Sequence, residues 1–172
     1  LLALVAAACA KHFAVHSGPE PLRHVFDATP SPADFHETYL PAFEALVREG
    51  RVEIVMTAYN AINGIPCSVH PLLYQLLDRW GFKGHVTSDC GSVADLSRTY
   101  KWAADDAAAE ALVLRAGMNV RCGFEATALV DAVHRGLIAE TEVDQRLQPL
   151  LRTMLRLESV VIALLGALVV HA

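Results

Sequence analysis

The segment Gly84-His85-Val86-Thr87-Ser88-Asp89-Cys90-Gly91 predicts a short apolar strand that ends in a carboxylate and is followed at once by glycine. An apparent helix over residues 72–80 precedes it. In α/β barrels, catalytic carboxylates stand at the C-terminal tips of parallel strands. Aspartate is also a common helix N-cap, so two interpretations of Asp89 are open here, a catalytic group or the cap of the next helix.

The rest of the chain alternates between predicted strands and helices. We predict strands over residues 4–13, 52–58 and 118–120, and helices over 31–48, 103–116, 125–134 and 140–157. Ser31 and Pro32 are N-cap and first-turn residues of the first helix. Such alternation implies right-handed crossovers and a parallel sheet. The pattern predicts an α/β fold, either half of an eight-stranded barrel or a four-stranded open sheet.

Composition narrows the classes of function. The 172 residues are 53% hydrophobic with a net charge of −5. This chain can bury one sizeable core, and it lacks the basic stripe of a nucleic-acid binder. The apolar run over residues 160–170 is shorter than the ~20 residues of a membrane span, so we expect no membrane partner. Residues 1–10 are apolar but lack a basic region, so the compartment stays open.

Cofactor motifs are not found. None of the four cysteines lies in a C-x-x-C pair, and no Gly-x-Gly-x-x-Gly or P-loop pattern follows a strand. We therefore predict neither a metal nor a cofactor. Cys90 and Cys122 each follow a predicted strand, and they are either a disulfide or two free thiols.

Polar side chains stand at three successive strand ends. Lys11 and His12 belong to the first, Tyr59 and Asn60 to the second and Asp89 to the third. The ends of parallel strands share one rim, so these groups are expected to gather there. Each has an ordinary structural interpretation alone, but packing explains their joint placement less well.

Three long motifs occur in a fixed order, and they resemble glycoside hydrolase family 3. They are Lys11-His12-Phe13-Ala14-Val15-His16-Ser17-Gly18-Pro19-Glu20, Val55-Met56-Thr57-Ala58-Tyr59-Asn60-Ala61-Ile62-Asn63-Gly64-Ile65-Pro66 and Trp80-Gly81-Phe82-Lys83-Gly84-His85-Val86-Thr87-Ser88-Asp89-Cys90-Gly91. The resemblance runs from about residue 7 to 157. It implies a partial (β/α)8 TIM-type barrel, roughly the last four strand–helix units, over residues 1–158, with an apolar tail over 159–172.

The resemblance also implies an activity, the retaining hydrolysis of terminal β-linked sugars from an oligosaccharide or aryl glycoside. Asp89 matches the family's nucleophile. Lys11 and His12 match a pair that hydrogen-bonds sugar hydroxyls, and Tyr59 matches a tyrosine beside the nucleophile. Lys11, as a nearby cation, would keep Asp89 ionised.

Two segments, residues 22–24 and 88–90, narrow the branch of the family that this chain resembles. The N-acetylhexosaminidase branch of the family has an Asp-x-His dyad where this chain has Leu22, Arg23 and His24. Since the aspartate is missing, that dyad cannot form. Ser-Asp-Cys at residues 88–90 resembles the xylosidase branch, which includes some glucosidases, so the choice between β-xylosidase and β-glucosidase is open.

The family's general acid/base comes from a second domain and is not matched in this chain. The alternative to an active enzyme is therefore a catalytically incomplete remnant or a sugar-binding subunit. Half a barrel also leaves sheet edges and an apolar face uncovered. We expect the 172-residue chain to be marginally stable, to self-associate, or to need a complementing chain.

Overall fold

The computed structural model describes residues 6–16, 18–123 and 127–170. In chain order, its strands are β1 (Cys9–Phe13), β2 (Asp27–Ala28), β3 (Ile54–Thr57), β4 (Ala61–Ile62), β5 (Ile65–Pro66) and β6 (His85–Thr87). The helices are α1 (Pro32–Asp34), α2 (Pro41–Arg48), α3 (Pro71–Trp80), α4 (Ser92–Arg98), α5 (Asp106–Ala116), α6 (Thr127–His134) and α7 (Glu140–Val170).

The main sheet is parallel, with the strand order β1-β3-β6. Helix α2 follows β1 and α3 follows β3, so each crossover between parallel neighbours contains a helix. The predicted α/β class is therefore confirmed. A second small sheet, formed by β2, β4 and β5, was not predicted, because strands of two residues carry no periodic signal.

The core lies between the main sheet and helices α2 and α3. Phe13 of β1 is 1% exposed, and its ring centroid lies 4.9 Å from that of Phe43 and 5.9 Å from that of Trp80. Replacing a buried phenylalanine of this kind by alanine costs about 3–5 kcal/mol. Gly81 ends α3 in the left-handed conformation, with φ 79°, and turns the chain back toward β6.

The predicted fourth strand is reduced to one parallel bridge between Thr87 and Val120. Asn119 explains the difference. Its side-chain oxygen Oδ1 accepts a 2.8 Å hydrogen bond from the backbone N–H of Val86. The backbone N–H of Asn119 donates to the Val86 carbonyl. A side chain thus satisfies a β6 donor that a longer strand would pair with backbone.

The predicted helix over residues 31–48 is interrupted. Ser31 caps it as expected, since its hydroxyl accepts the backbone N–H of Asp34 at 3.1 Å. A π-helical turn at Phe35–Tyr39 then separates α1 from α2. Pro41 has no N–H to donate and crowds the preceding turn, which is consistent with the widened turn before it.

Other boundaries differ by a few residues. Helix α5 begins at Asp106 rather than 103, and α4 was not predicted. Residues 4–5 of the predicted first strand and 125–126 of a predicted helix lie outside the described residues. The backbone of α7 continues to Val170, past the expected end at 157. No helix in the described part of the chain is long and apolar enough to cross a membrane.

Candidate active site

Asp89 lies two residues beyond the C-terminal end of β6. Its Oδ1 accepts a 2.7 Å hydrogen bond from the backbone N–H of Cys90. Gly91 is the N-cap of α4, with φ 85°, and no side chain caps that helix. The interpretation of Asp89 as a side-chain cap is therefore wrong. The positive φ, which glycine adopts without strain, lets the chain turn sharply into α4 and leaves the carboxylate at the rim.

His12 approaches Asp89 from β1, across the end of β3. Its Nε2 lies 3.3 Å from Asp89 Oδ2, and the two side chains are 26% and 13% exposed. Burial lowers the pKa of His12, although the charge of Asp89 opposes the shift. A neutral imidazole therefore faces the carboxylate near neutral pH, and each Asp89 oxygen has a polar neighbour.

Tyr59 reaches the same place from the loop after β3. Its hydroxyl donates a 2.7 Å hydrogen bond to the carbonyl oxygen of Cys90. The hydroxyl of Tyr100 donates in turn to the Tyr59 carbonyl at 3.1 Å. Burial raises the pKa of Tyr59, and the negative charge of Asp89 raises it further, so the phenol stays protonated and can donate.

Lys11 does not pair directly with Asp89. It is exposed, and it forms no ion pair within 4.0 Å with any residue in the described ranges. The basic side chain in contact with Asp89 is His12 instead. The assignment of Lys11 to sugar hydroxyls stays a prediction.

Three further side chains at the rim were not predicted from the sequence. The His24 ring lies 4.3 Å from the Tyr59 ring, centroid to centroid, and the guanidinium of Arg23 lies 5.1 Å from the Tyr59 centroid. His24 Nδ1 contacts Asp95 Oδ2 of α4 at 2.7 Å. Leu22 does remove the local dyad, as expected. The carboxylate that His24 finds instead is 71 residues away, so no local spacing could have indicated it.

Cys90 and Cys122 form a disulfide, which decides between the two open alternatives. Backbone contacts bring them together. The Gly91 N–H donates to the Cys122 carbonyl at 3.0 Å, and the Cys122 N–H donates to the hydroxyl of Ser88 at 2.9 Å. The loop that carries Asp89 is thus tied to the loop after the single bridge at Val120. No cluster of three or more potential metal ligands occurs among the described residues.

This geometry agrees with the comparisons with known proteins. Residues 4–153 match the family model described as the glycosyl hydrolase family 3 N-terminal domain. The chain belongs to glycosyl hydrolase family 3. A xylan 1,4-beta-xylosidase of Xylanibacter ruminicola is 44% identical over 149 residues, which cover 84% of this chain and 17% of the relative. A probable beta-D-xylosidase 7 of Arabidopsis thaliana is 38% identical over 162 residues, 90% of this chain and 21% of the relative.

Solved structures of the same family have a similar fold. A GH3 exo-beta-xylosidase (XlnD), in complex with a xylobiose aziridine activity-based probe, matches with a TM-score of 0.80 and 27% identity. That match covers 87% of this chain and 20% of the xylosidase. The beta-glucosidase of Listeria innocua in complex with glucose matches with a TM-score of 0.75, 27% identity, and coverage of 88% and 21%. The family 3 chain described here spans about a fifth of the length of these relatives.

Proposed function

We propose that this chain supplies the nucleophile of a retaining β-glycosidase that releases terminal β-D-xylose or β-D-glucose. One observation carries the proposal. The Asp89 carboxylate stands at the C-terminal end of β6, with one oxygen held by the Cys90 N–H and the other 3.3 Å from His12. In barrel enzymes that edge of the sheet carries the chemistry. The names of the family relatives, xylosidase and glucosidase, support the two candidate sugars.

In the proposed reaction, an Asp89 oxygen attacks the anomeric carbon while the bond to the leaving oxygen breaks. An acid protonates the leaving oxygen, and a covalent glycosyl ester remains on Asp89. Water, deprotonated by the same acid/base group, then attacks the ester, which releases the sugar with retained configuration and restores the carboxylate. Retaining enzymes place the two carboxyl groups about 5–5.5 Å apart.

The neighbours of Asp89 are assigned supporting roles. Lys11 and His12 donate hydrogen bonds to sugar hydroxyls, and these bonds strengthen as the ring flattens toward an oxocarbenium ion. Tyr59 lies beside the nucleophile, and its protonated phenol donates to the Cys90 carbonyl without adding a negative charge. The substrate is a β-linked oligosaccharide or an aryl β-glycoside.

Mechanism-based labelling tests the nucleophile separately from the acid. In 2,4-dinitrophenyl 2-deoxy-2-fluoro-β-D-xyloside, and in the matching glucoside, the phenolate leaves without a proton, while fluorine slows hydrolysis of the ester. Trypsin cleaves after Lys83 and Arg98. After reduction, peptide 84–98 is expected to carry the added mass, and fragmentation is expected to place it on Asp89.

Two internal controls sharpen this experiment. Asp95 lies on the same peptide and should stay unlabelled, and Asp89→Asn should abolish labelling. A label on any other residue, or a chain that both probes leave unlabelled, would contradict the proposed nucleophile. The ratio of the two labelling rates then distinguishes xylose from glucose.

A second candidate is a sugar-binding chain that does not complete the reaction. One observation favours it. The other carboxylate in this contact network, Asp95, is hydrogen-bonded to His24 and, at 3.2 Å, to the hydroxyl of Thr99. Because both of its oxygens are engaged, Asp95 is not free to serve as the general acid. If xylobiose shifts the NMR signals of His12 and Tyr59 while Asp89 is never labelled, the binding role is correct and the catalytic one is wrong.

A further inference from the structure

His24 and Asp95 form a pair at the rim that joins two separate segments. His24 lies in the turn before β2, and Asp95 lies in α4, the helix that follows the loop carrying Asp89. Asp95 is 13% exposed, and Oδ1 and Oδ2 accept from Thr99 and His24 respectively. A carboxylate buried to this degree needs such partners, and it fixes the imidazole through Nδ1.

The imidazole held in this way packs against Tyr59. The two ring centroids are 4.3 Å apart at an interplanar angle of 55°, so the two rings are in direct contact. Arg23 lies over the same tyrosine ring and donates from Nε to His24 Nε2 at 3.3 Å. His24 is still 42% exposed, so the contact belongs to the open rim rather than to the core.

Cys90 connects Tyr59 to the nucleophile Asp89 by two hydrogen bonds. The Tyr59 hydroxyl bonds the Cys90 carbonyl, and the Cys90 N–H bonds Asp89 Oδ1, each at 2.7 Å. An unbroken series of contacts therefore runs from Asp95 through His24, Tyr59 and Cys90 to Asp89.

We propose that His24, held by Asp95, is a positioning residue that sets the orientation of the Tyr59 side chain and through it the Cys90 peptide beside Asp89. This inference rests on the proposed function for its kinetic test. In this proposal His24 acts through Tyr59, and no contact between His24 and Asp89 is found in the described residues, so His24 is not itself a catalytic residue.

The kinetic test measures labelling of the full 172-residue chain by the fluoroxyloside, with the maximal rate separated from the half-saturating concentration. We expect His24→Ala to lower the maximal rate roughly tenfold, within the 10²-fold that a misplacement of ~1 Å can cost. Asp95→Asn keeps the shape and an accepting oxygen, and should cost less. Asp131→Asn removes a surface carboxylate that pairs with Arg135 at 3.0 Å, and it is the matched control, expected to have no effect.

A double-mutant cycle separates positioning from mere stabilisation. In a Tyr59→Ala background, His24→Ala should cause no further loss of maximal rate, because the group it positions is gone. A purely structural role would lower the fraction of chain that is labelled and leave the rate unchanged. That result, or a full His24→Ala effect in the Tyr59→Ala background, would overturn the proposal.

An NMR measurement tests the positioning role of His24 without relying on the labelling reaction. The Gly91 amide shares its peptide unit with the Cys90 carbonyl, so its chemical shift reports the bond from the Tyr59 hydroxyl. We expect His24→Ala to move this signal in the direction that Tyr59→Phe moves it. A signal that moves in Tyr59→Phe and stays fixed in His24→Ala refutes positioning. Failure of labelling in the unchanged chain would refute the proposed function alone.

Discussion

The carbonyl oxygen of Cys90 accepts a 2.7 Å hydrogen bond from the phenol of Tyr59. The N–H of the same cysteine donates to Asp89 at the same distance. One residue therefore orders both side chains with backbone atoms alone, and its sulfur ties it to Cys122. The first two predictions test this arrangement.

Tyr59→Phe should slow labelling of Asp89 about two- to tenfold, because one hydrogen bond contributes about 0.5–1.5 kcal/mol. The ring contact with His24 is kept, so the change isolates the hydroxyl. The labelling rate constant of the fluoroglycoside measures the effect. Tyr74→Phe is the matched control, since the Tyr74 hydroxyl donates a 2.9 Å bond to the Ser68 carbonyl away from the site. Equal slowing in both variants would contradict a local role for Tyr59.

Reduction of the disulfide with dithiothreitol should destabilise the chain and slow labelling. The bridge closes a loop with a sequence separation of 32, which in the chain-entropy model is worth about 3–4 kcal/mol. Urea unfolding with and without reductant measures the loss. Cys122→Ser should show the same loss in the absence of reductant and then be insensitive to it. Sensitivity that persists in Cys122→Ser would show that another thiol is responsible.

Gly84→Ala should cost about 3 kcal/mol of unfolding free energy, at the upper end of overpacking effects. A Cβ at residue 84 would lie 1.9 Å from the carbonyl oxygen of Glu53. That oxygen cannot retreat, because it accepts the N–H of His85 where β6 pairs with β3. Gly136→Ala is the control, since its Cβ would meet nothing within 4 Å and only the positive φ of 69° costs energy, about 1 kcal/mol. Equal losses would be inconsistent with the clash.

Stability should fall as the pH drops below about 6.5, the value for an unperturbed histidine. His85 is 5% exposed, and burial lowers its pKa, so the folded chain keeps it neutral where the unfolded chain protonates it. Because the unfolded state then binds more protons, acid favours unfolding. The pKa of His70 is lowered by burial in the same direction. Urea unfolding at pH 7.5 and 5.5 measures the change, and His85→Gln should reduce it. An unchanged pH dependence in that variant would count against His85.

The 172-residue chain should self-associate at micromolar concentration. Leu147, Leu151 and Met154 form an exposed apolar stripe on α7, at helical spacing. Contact between copies would remove this surface from water. Sedimentation velocity over a range of concentrations measures the association, and Leu151→Glu should weaken it. A single monomeric species at every concentration would show the expectation to be wrong.

The sequence was sufficient where a local pattern decides the structure. Helix α3 begins within a residue of its predicted start because its apolar spacing and Gly81 mark both ends. The position of Asp89 just past β6 followed from the same kind of signal. The residues that the family resemblance indicated, His12, Tyr59 and Asp89, do lie together at the rim.

Long-range contacts could not be read in the same way. The hydrogen bond between His24 and Asp95 joins residues far apart in the sequence, so no helical or strand periodicity predicts it. It forms only because of where α4 lies in the fold. Helix α4 itself starts after a glycine without a side-chain cap, so the usual start signal is missing. The hydrogen bond from the Val86 N–H to the Asn119 side chain also depends on tertiary placement. It replaces a backbone pairing and so shortens the fourth strand.

The use of backbone atoms at Cys90 has a consequence for sequence variation. Any residue at position 90 can offer the same N–H to Asp89 and the same carbonyl to Tyr59, provided that it is not proline. The hydrogen bonds to Asp89 and Tyr59 therefore do not specify the side chain at position 90, and cysteine is required there only for the disulfide to Cys122. A protein with this fold that lacks the tie to residue 122 can keep both hydrogen bonds, but it loses the stability that the bridge supplies.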